Sequence, residues 1–96
     1  MRVTYKNLIG KTILVGLTYE DKNGVEIEKT QFHGTIVRAE INKGIVIKKA
    51  NNEEFFLPPC LSAVKQAWPS EYRLHSTSEV VINPDLLTTW TVTKPN

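Results

Sequence analysis

Apolar and polar side chains alternate along residues 11–20, KTILVGLTYE, with Ile13, Val15, Leu17 and Tyr19 on one side and Thr12, Leu14, Gly16 and Thr18 on the other. A period of two is the mark of a strand with one face in a core. The DKNG that follows offers Asn23 and Gly24, which tolerate the positive φ of a tight hairpin. VEIEKTQF is therefore expected to return antiparallel, with Val25 and Ile27 inward and Glu26 and Glu28 in water. By Phe32 the apolar parity has switched, and Gly34 two residues later points to a bulge or sharp bend.

The same rhythm continues through HGTIVRAEINKGIVIKK, residues 33–49, two strands around a turn at Asn42 and Gly44. Asn51 and Asn52 form the next turn. Glu53, Phe55 and Leu57 then alternate with Glu54 and Phe56 until Pro58 and Pro59 end the ladder. From Cys60 to Trp68 the spacing of Leu61, Val64 and Trp68 predicts a short helix of about two turns, stopped by Pro69. EYRLHS and EVVIN form a further hairpin, in which Val80 and Ile82 share a face. TTWTVTK, with Trp90 and Val92 alternating among threonines, makes the last strand. Many short strands with regular turn signals, one of them glycine-bent, predict an all-β chain: a single antiparallel barrel domain over residues 1–96 with one short helix around 60–68.

The blocks LIGKTILVGL, FHGTIVRAE and GIVIKK resemble, in strand rhythm, the SH3-like and Sm-like small barrels over the first half of the chain. GKTILVGLTY, QFHGTIV, EEFFLPP, EYRLHSTSEVV and NPDLLTTWTV, in that order, also resemble a group of short, uncharacterised bacterial proteins. The first resemblance implies a small barrel. The second implies a bacterial cytoplasmic origin and carries no activity over.

Charge changes this picture only locally. The formal net charge is +2, too small to steer a polyanion by itself, yet residues 1–50 hold nine basic against five acidic side chains and residues 51–96 three against five. Any anion-binding surface is thus expected in the first half, where Arg38, Lys43, Lys48 and Lys49 line the ribbon of residues 33–49. Glu40 interrupts that ribbon, and exposed aromatics for base stacking are missing from it. Its plainer reading is a sheet edge defended by lysines.

Catalytic and metal chemistry find little footing. His33, Cys60 and His75 are the soft or borderline ligands, and none shows the short paired spacing that preorganises zinc. A Cys60–His75 nucleophile pair lacks a visible orienting group, and PPC is not a glycine-flanked nucleophile turn. Glu53 and Glu54 are adjacent in a strand and point to opposite faces. Asp85, after Asn83 and Pro84, reads as a turn or cap residue binding backbone amides.

Trp68, Tyr72 and Trp90 are candidate contacts for a protein partner, although in so thin a core each tryptophan reads first as filling. One cysteine, no long apolar run and no cofactor motif suit a cytoplasmic chain that is neither an enzyme nor a membrane protein. The favoured expectation is an adaptor that recognises a protein or associates with itself. Nucleic-acid binding through the basic hairpin is the alternative.

Overall fold

The first strand forms where the alternation is strictest, and it becomes an axis on which the rest assembles. The computed structural model describes residues 3–74 and 78–94. A one-turn helix, α1 (Tyr5–Leu8), precedes β1 (Thr12–Glu20), β2 (Glu26–Glu40), β3 (Gly44–Lys49) and β4 (Glu54–Leu57). A 3₁₀ turn at Leu61–Ala63 leads into β5 (Val64–Gln66), followed by β6 (Glu71–Arg73), β7 (Val80–Ile82) and β8 (Leu86–Thr93). Six strands form one sheet in the order β4-β3-β2-β1-β8-β5, and β6 and β7 form a separate hairpin. The protein is mostly β, as the alternation predicted.

One face of the large sheet makes the core. Ile13, Val15 and Leu17 of β1 meet Ile36 of β2, Ile45 and Ile47 of β3, and Leu86 of β8, all buried. Leu57 on the edge strand β4 and Val64 on the opposite edge strand β5 belong to the same apolar cluster. A flat six-stranded sheet would hold its edges about 24 Å apart. The sheet therefore curls, and its two edges are linked by the short segment 58–63.

No ladder joins β4 to β5, and β1 runs parallel to β8, with Ile13 opposite Leu86 and Leu17 opposite Trp90. The expected closed antiparallel barrel is thus corrected to an open sheet of mixed direction. Local alternation specifies strands but carries no information about a partner some seventy residues away.

The helix expected at 60–68 is also corrected. Cys60 gives the Leu61–Ala63 turn no side-chain cap, and β8 offers a ladder to residues 64–66, with Val64 opposite Thr88 and Gln66 opposite Leu86. The buried Thr88 hydroxyl donates to the Ala63 carbonyl at 2.7 Å. Two turns of helix held only by packing lose to a ready-made strand edge.

Val25 and Ile27 face solvent rather than the core. The Asp21 carboxylate accepts from the backbone N–H groups of Asn23 and Val25, fixing the hairpin, and the β1–β2 register then shifts so that Tyr19 faces Glu28 while Glu20 faces Glu26. Ile27 is the surplus residue, and one surplus residue reverses the side on which its neighbours fall. Glu28, Thr30, Phe32 and Gly34 consequently share the face of Ile36.

The β2 bulge falls beyond Gly34, between Ile36 and Arg38. Gly34 has a different role: a Cβ there would run into the Lys48 carbonyl oxygen and the Ile47 side chain of β3.

The residue before β7 reaches the outer face of the large sheet. His33 Nε2 sits 2.6 Å from Glu79 Oε2. Leu14, opposite His33 in the β1–β2 ladder, is buried outside the main core, as is Leu74 of the hairpin connection.

Candidate functional site

On the outer face, side chains stand in rows set by the β2, β1 and β8 registers. His33, Leu14 and Leu87 form one row; Gln31, Gly16 and Thr89 the next; Lys29, Thr18 and Thr91 the third. Where Gly16 lacks a side chain the middle row is interrupted. The result is a groove of about 280 Å³ lined by Gly16, Leu17, Thr18, Lys29, Thr30, Gln31 and Thr89.

The four cations singled out from the sequence do not form one surface. Arg38 and Lys48 are diagonal neighbours on the outer face, because Lys48 pairs with Thr35 while Arg38 pairs with Val46. Glu54 of β4 stands opposite Lys48, and its carboxylate lies 3.6 Å from the Arg38 guanidinium. Lys43, in the β2–β3 turn, lies 3.8 Å from the Glu40 carboxylate. Lys49 belongs to the core-side parity and rests over the rings of Phe32 and Phe55, 4.6 and 5.8 Å from their centroids. A cation so placed holds the rim of the core through its attraction to the ring faces.

The aromatic candidates separate as well. Trp68 is 84% exposed, against its reading as core filling. It follows β5, where the chain leaves the sheet, and its carbonyl accepts from the Tyr72 hydroxyl at 2.9 Å. Trp90 packs on the core opposite Leu17, as read from the sequence, with its ring N–H buried and without an acceptor among the described residues.

Phe56, not singled out before, is 63% exposed on the outer face of edge strand β4. Its neighbour Phe55 packs on the core, so strand parity alone dictates that Phe56 points outward. Beside it lies a depression of about 190 Å³ lined by Arg38, Glu40, Lys43, Gly44, Val46 and Phe56.

Asp85 is a cap of unusual reach. Its Oδ2 accepts from the Thr12 backbone N–H at 3.0 Å and the Thr12 hydroxyl at 3.1 Å, while its own N–H donates to that hydroxyl at 3.0 Å. The reciprocal pair fastens the first residue of β1 to the start of β8. This is a structural clamp between parallel strands.

His33 is engaged with Glu79, and Cys60 Sγ lies 3.2 Å from the Ser62 hydroxyl. That hydroxyl, with the Ala63 backbone N–H, holds the Cys60 thiol pKa below its ordinary value against a smaller opposing effect of burial. His75 lies outside the described residues, so the Cys60–His75 pair is not placed. Among the described residues no three His, Cys, Asp or Glu side chains gather to hold a metal, and no helix is long and apolar enough to cross a membrane.

Protein-family models, curated proteins and solved structures were compared with the chain, and none matches. The functional reading therefore rests on this geometry.

Proposed function

We propose that the protein is a non-enzymatic binding module of the small SH3-like or Sm-like barrel type, left open between β4 and β5, that recognises an extended segment of a protein partner along β4. The observation that carries this reading is the edge itself: β4 ends the ladder, and its outward Phe56 stands beside a depression. A strand added there gains main-chain hydrogen bonds from the edge, and alternate side chains read Phe56 and the depression. Arg38 and Lys43, each facing a carboxylate, give that depression mixed charge. The single thiol suits the reducing bacterial cytoplasm inferred from the sequence blocks.

The test is selection of short extended peptides from a displayed library against the whole chain. Binders with alternating apolar residues are expected, shifting the amide resonances of Glu54–Leu57 and losing affinity on Phe56→Asp. Binders indifferent to Phe56→Asp, or none at all, would overturn the reading.

Phosphate binding by Arg38, Lys43, Lys48 and Lys49 is the second reading, favoured by the exposed placement of Lys48 beside Arg38. It requires oligonucleotide binding at low salt that weakens steeply as salt rises. Absence of binding at low salt removes it.

A further inference from the structure

Four of the five glycines are explained by the backbone. Gly10, Gly24 and Gly44 have positive φ, and a Cβ at Gly34 or Gly44 would collide with a neighbouring carbonyl oxygen. Gly16 has neither excuse. Its φ lies outside the left-handed region, and the nearest atom to a Cβ built there would be the Thr89 Cγ2 methyl at 3.5 Å, an ordinary contact. A glycine in a strand interior weakens the sheet through chain entropy and lost packing, and it often marks a place where a ligand approaches the backbone. At Gly16 the space left vacant is the floor of the outer-face groove.

The lining of that groove is chemically one-sided. The Thr89 methyl is the atom nearest the vacant Cβ position of Gly16; the other lining residues are Leu17, Thr18, Lys29, Thr30 and Gln31, so the groove has one cationic residue and, among the described residues, no carboxylate in its lining. Glu26 stands outside, 3.5 Å from Lys29, with both side chains well exposed. An exposed pair of this kind is weak, so an anion in the groove competes with Glu26 at little cost. The volume, about 280 Å³, lies at the small end of ligand sites.

We propose that the Gly16 groove is a binding site for a small monocarboxylate with a compact apolar body. The body lies flat over Gly16 against the Thr89 methyl, and the carboxylate reaches Lys29, with Thr18 and Gln31 at its sides. The groove is built by β1, β2 and β8, away from the β4 edge. Ligand binding here and partner recognition at β4 therefore fail separately.

The test uses phenylacetate as the probe and neutral phenylacetamide as its control, titrated into the whole chain and followed by amide chemical shifts. Phenylacetate is expected to shift Gly16, Thr18, Gln31 and Thr89 saturably, with the amide about fivefold weaker, the size of one exposed ion pair. Lys29→Met is expected to erase that preference while leaving the weaker binding. Gly16→Val fills the floor and is expected to abolish binding; Gly16→Ala, whose added methyl makes only ordinary contact, is expected to weaken binding while the thermal midpoint holds or rises. Absence of saturable shifts, shifts centred elsewhere, full affinity in Gly16→Ala, or an undiminished carboxylate preference in Lys29→Met would each overturn the proposal.

Discussion

Gly34 and Gly16 sit in neighbouring strands, both within extended backbone, yet their surroundings are opposite. At Gly34 the missing side chain is replaced by the backbone of β3, whose Lys48 carbonyl occupies the space. At Gly16 the neighbouring Thr89 stays at ordinary distance and the space opens to solvent. The same residue type serves close strand approach in one place and leaves a vacancy in the other. What decides is the neighbour across the ladder, not the glycine.

The contrast breaks most readily at Gly34. Gly34→Ala is expected to cost about 2–3 kcal/mol, since the collision is with backbone and cannot be relieved by a rotamer. Urea denaturation measures it, and native stability in this variant would remove the distinction. A smaller loss, about 1–2 kcal/mol, is expected for Asp85→Ala, which leaves the Thr12 N–H and hydroxyl to water where a carboxylate held them. Faster hydrogen exchange at Thr12 should accompany it. Gly16→Ala is expected to act with the opposite sign, stabilising by about 0.4–1 kcal/mol through the unfolded chain; a clear loss of stability would show that the fold needs this glycine after all.

Two gentler measurements sharpen the picture away from the glycines. Because the Ser62 hydroxyl and the Ala63 N–H favour the Cys60 thiolate, a larger thiolate fraction is present at a given pH, and alkylation by iodoacetamide should reach half its limiting rate below the ordinary thiol range. Ser62→Ala is expected to move that profile to higher pH. Trp68→Ser, at the most exposed of the large apolar side chains given above, should change stability by no more than about 0.5 kcal/mol, in line with an ordinary surface position.

These effects mirror what could be read beforehand. The alternation in KTILVGLTYE placed Ile13, Val15 and Leu17 in the core, and the hairpins at DKNG and INKG lie where Gly24 and Gly44 take positive φ. Local signals sufficed because both depend on nearby residues. Val25 and Ile27 fall on the face opposite to the one their alternation predicts, because a one-residue register shift at the hairpin reverses faces without altering composition. Residues 64–66 read as helix because their strand partner, β8, comes twenty residues later and is visible only in three dimensions.

The candidate site followed the same division. That Lys49 points away from Lys48 was legible from parity, whereas the Glu54 carboxylate beside Arg38 required the β3–β4 register. Phe56 was legible in principle, since Phe55 and Phe56 cannot both face inward. The groove at Gly16 was not, because its wall at Thr89 comes from the parallel neighbour.

That parallel neighbour has a consequence for how the molecule comes into being. During synthesis residues 12–57 can zip into a meander as they emerge, but the remaining side of β1 waits bare until Leu86–Thr93 has left the ribosome and closed a very long loop. Until then a strand that carries much of the core, Ile13, Val15 and Leu17, offers an unclaimed edge to any other chain nearby. Trimming β8 would make that passing vulnerability permanent and strip β5 of its ladder, so Leu86–Thr93 guards a strand made some seventy residues earlier.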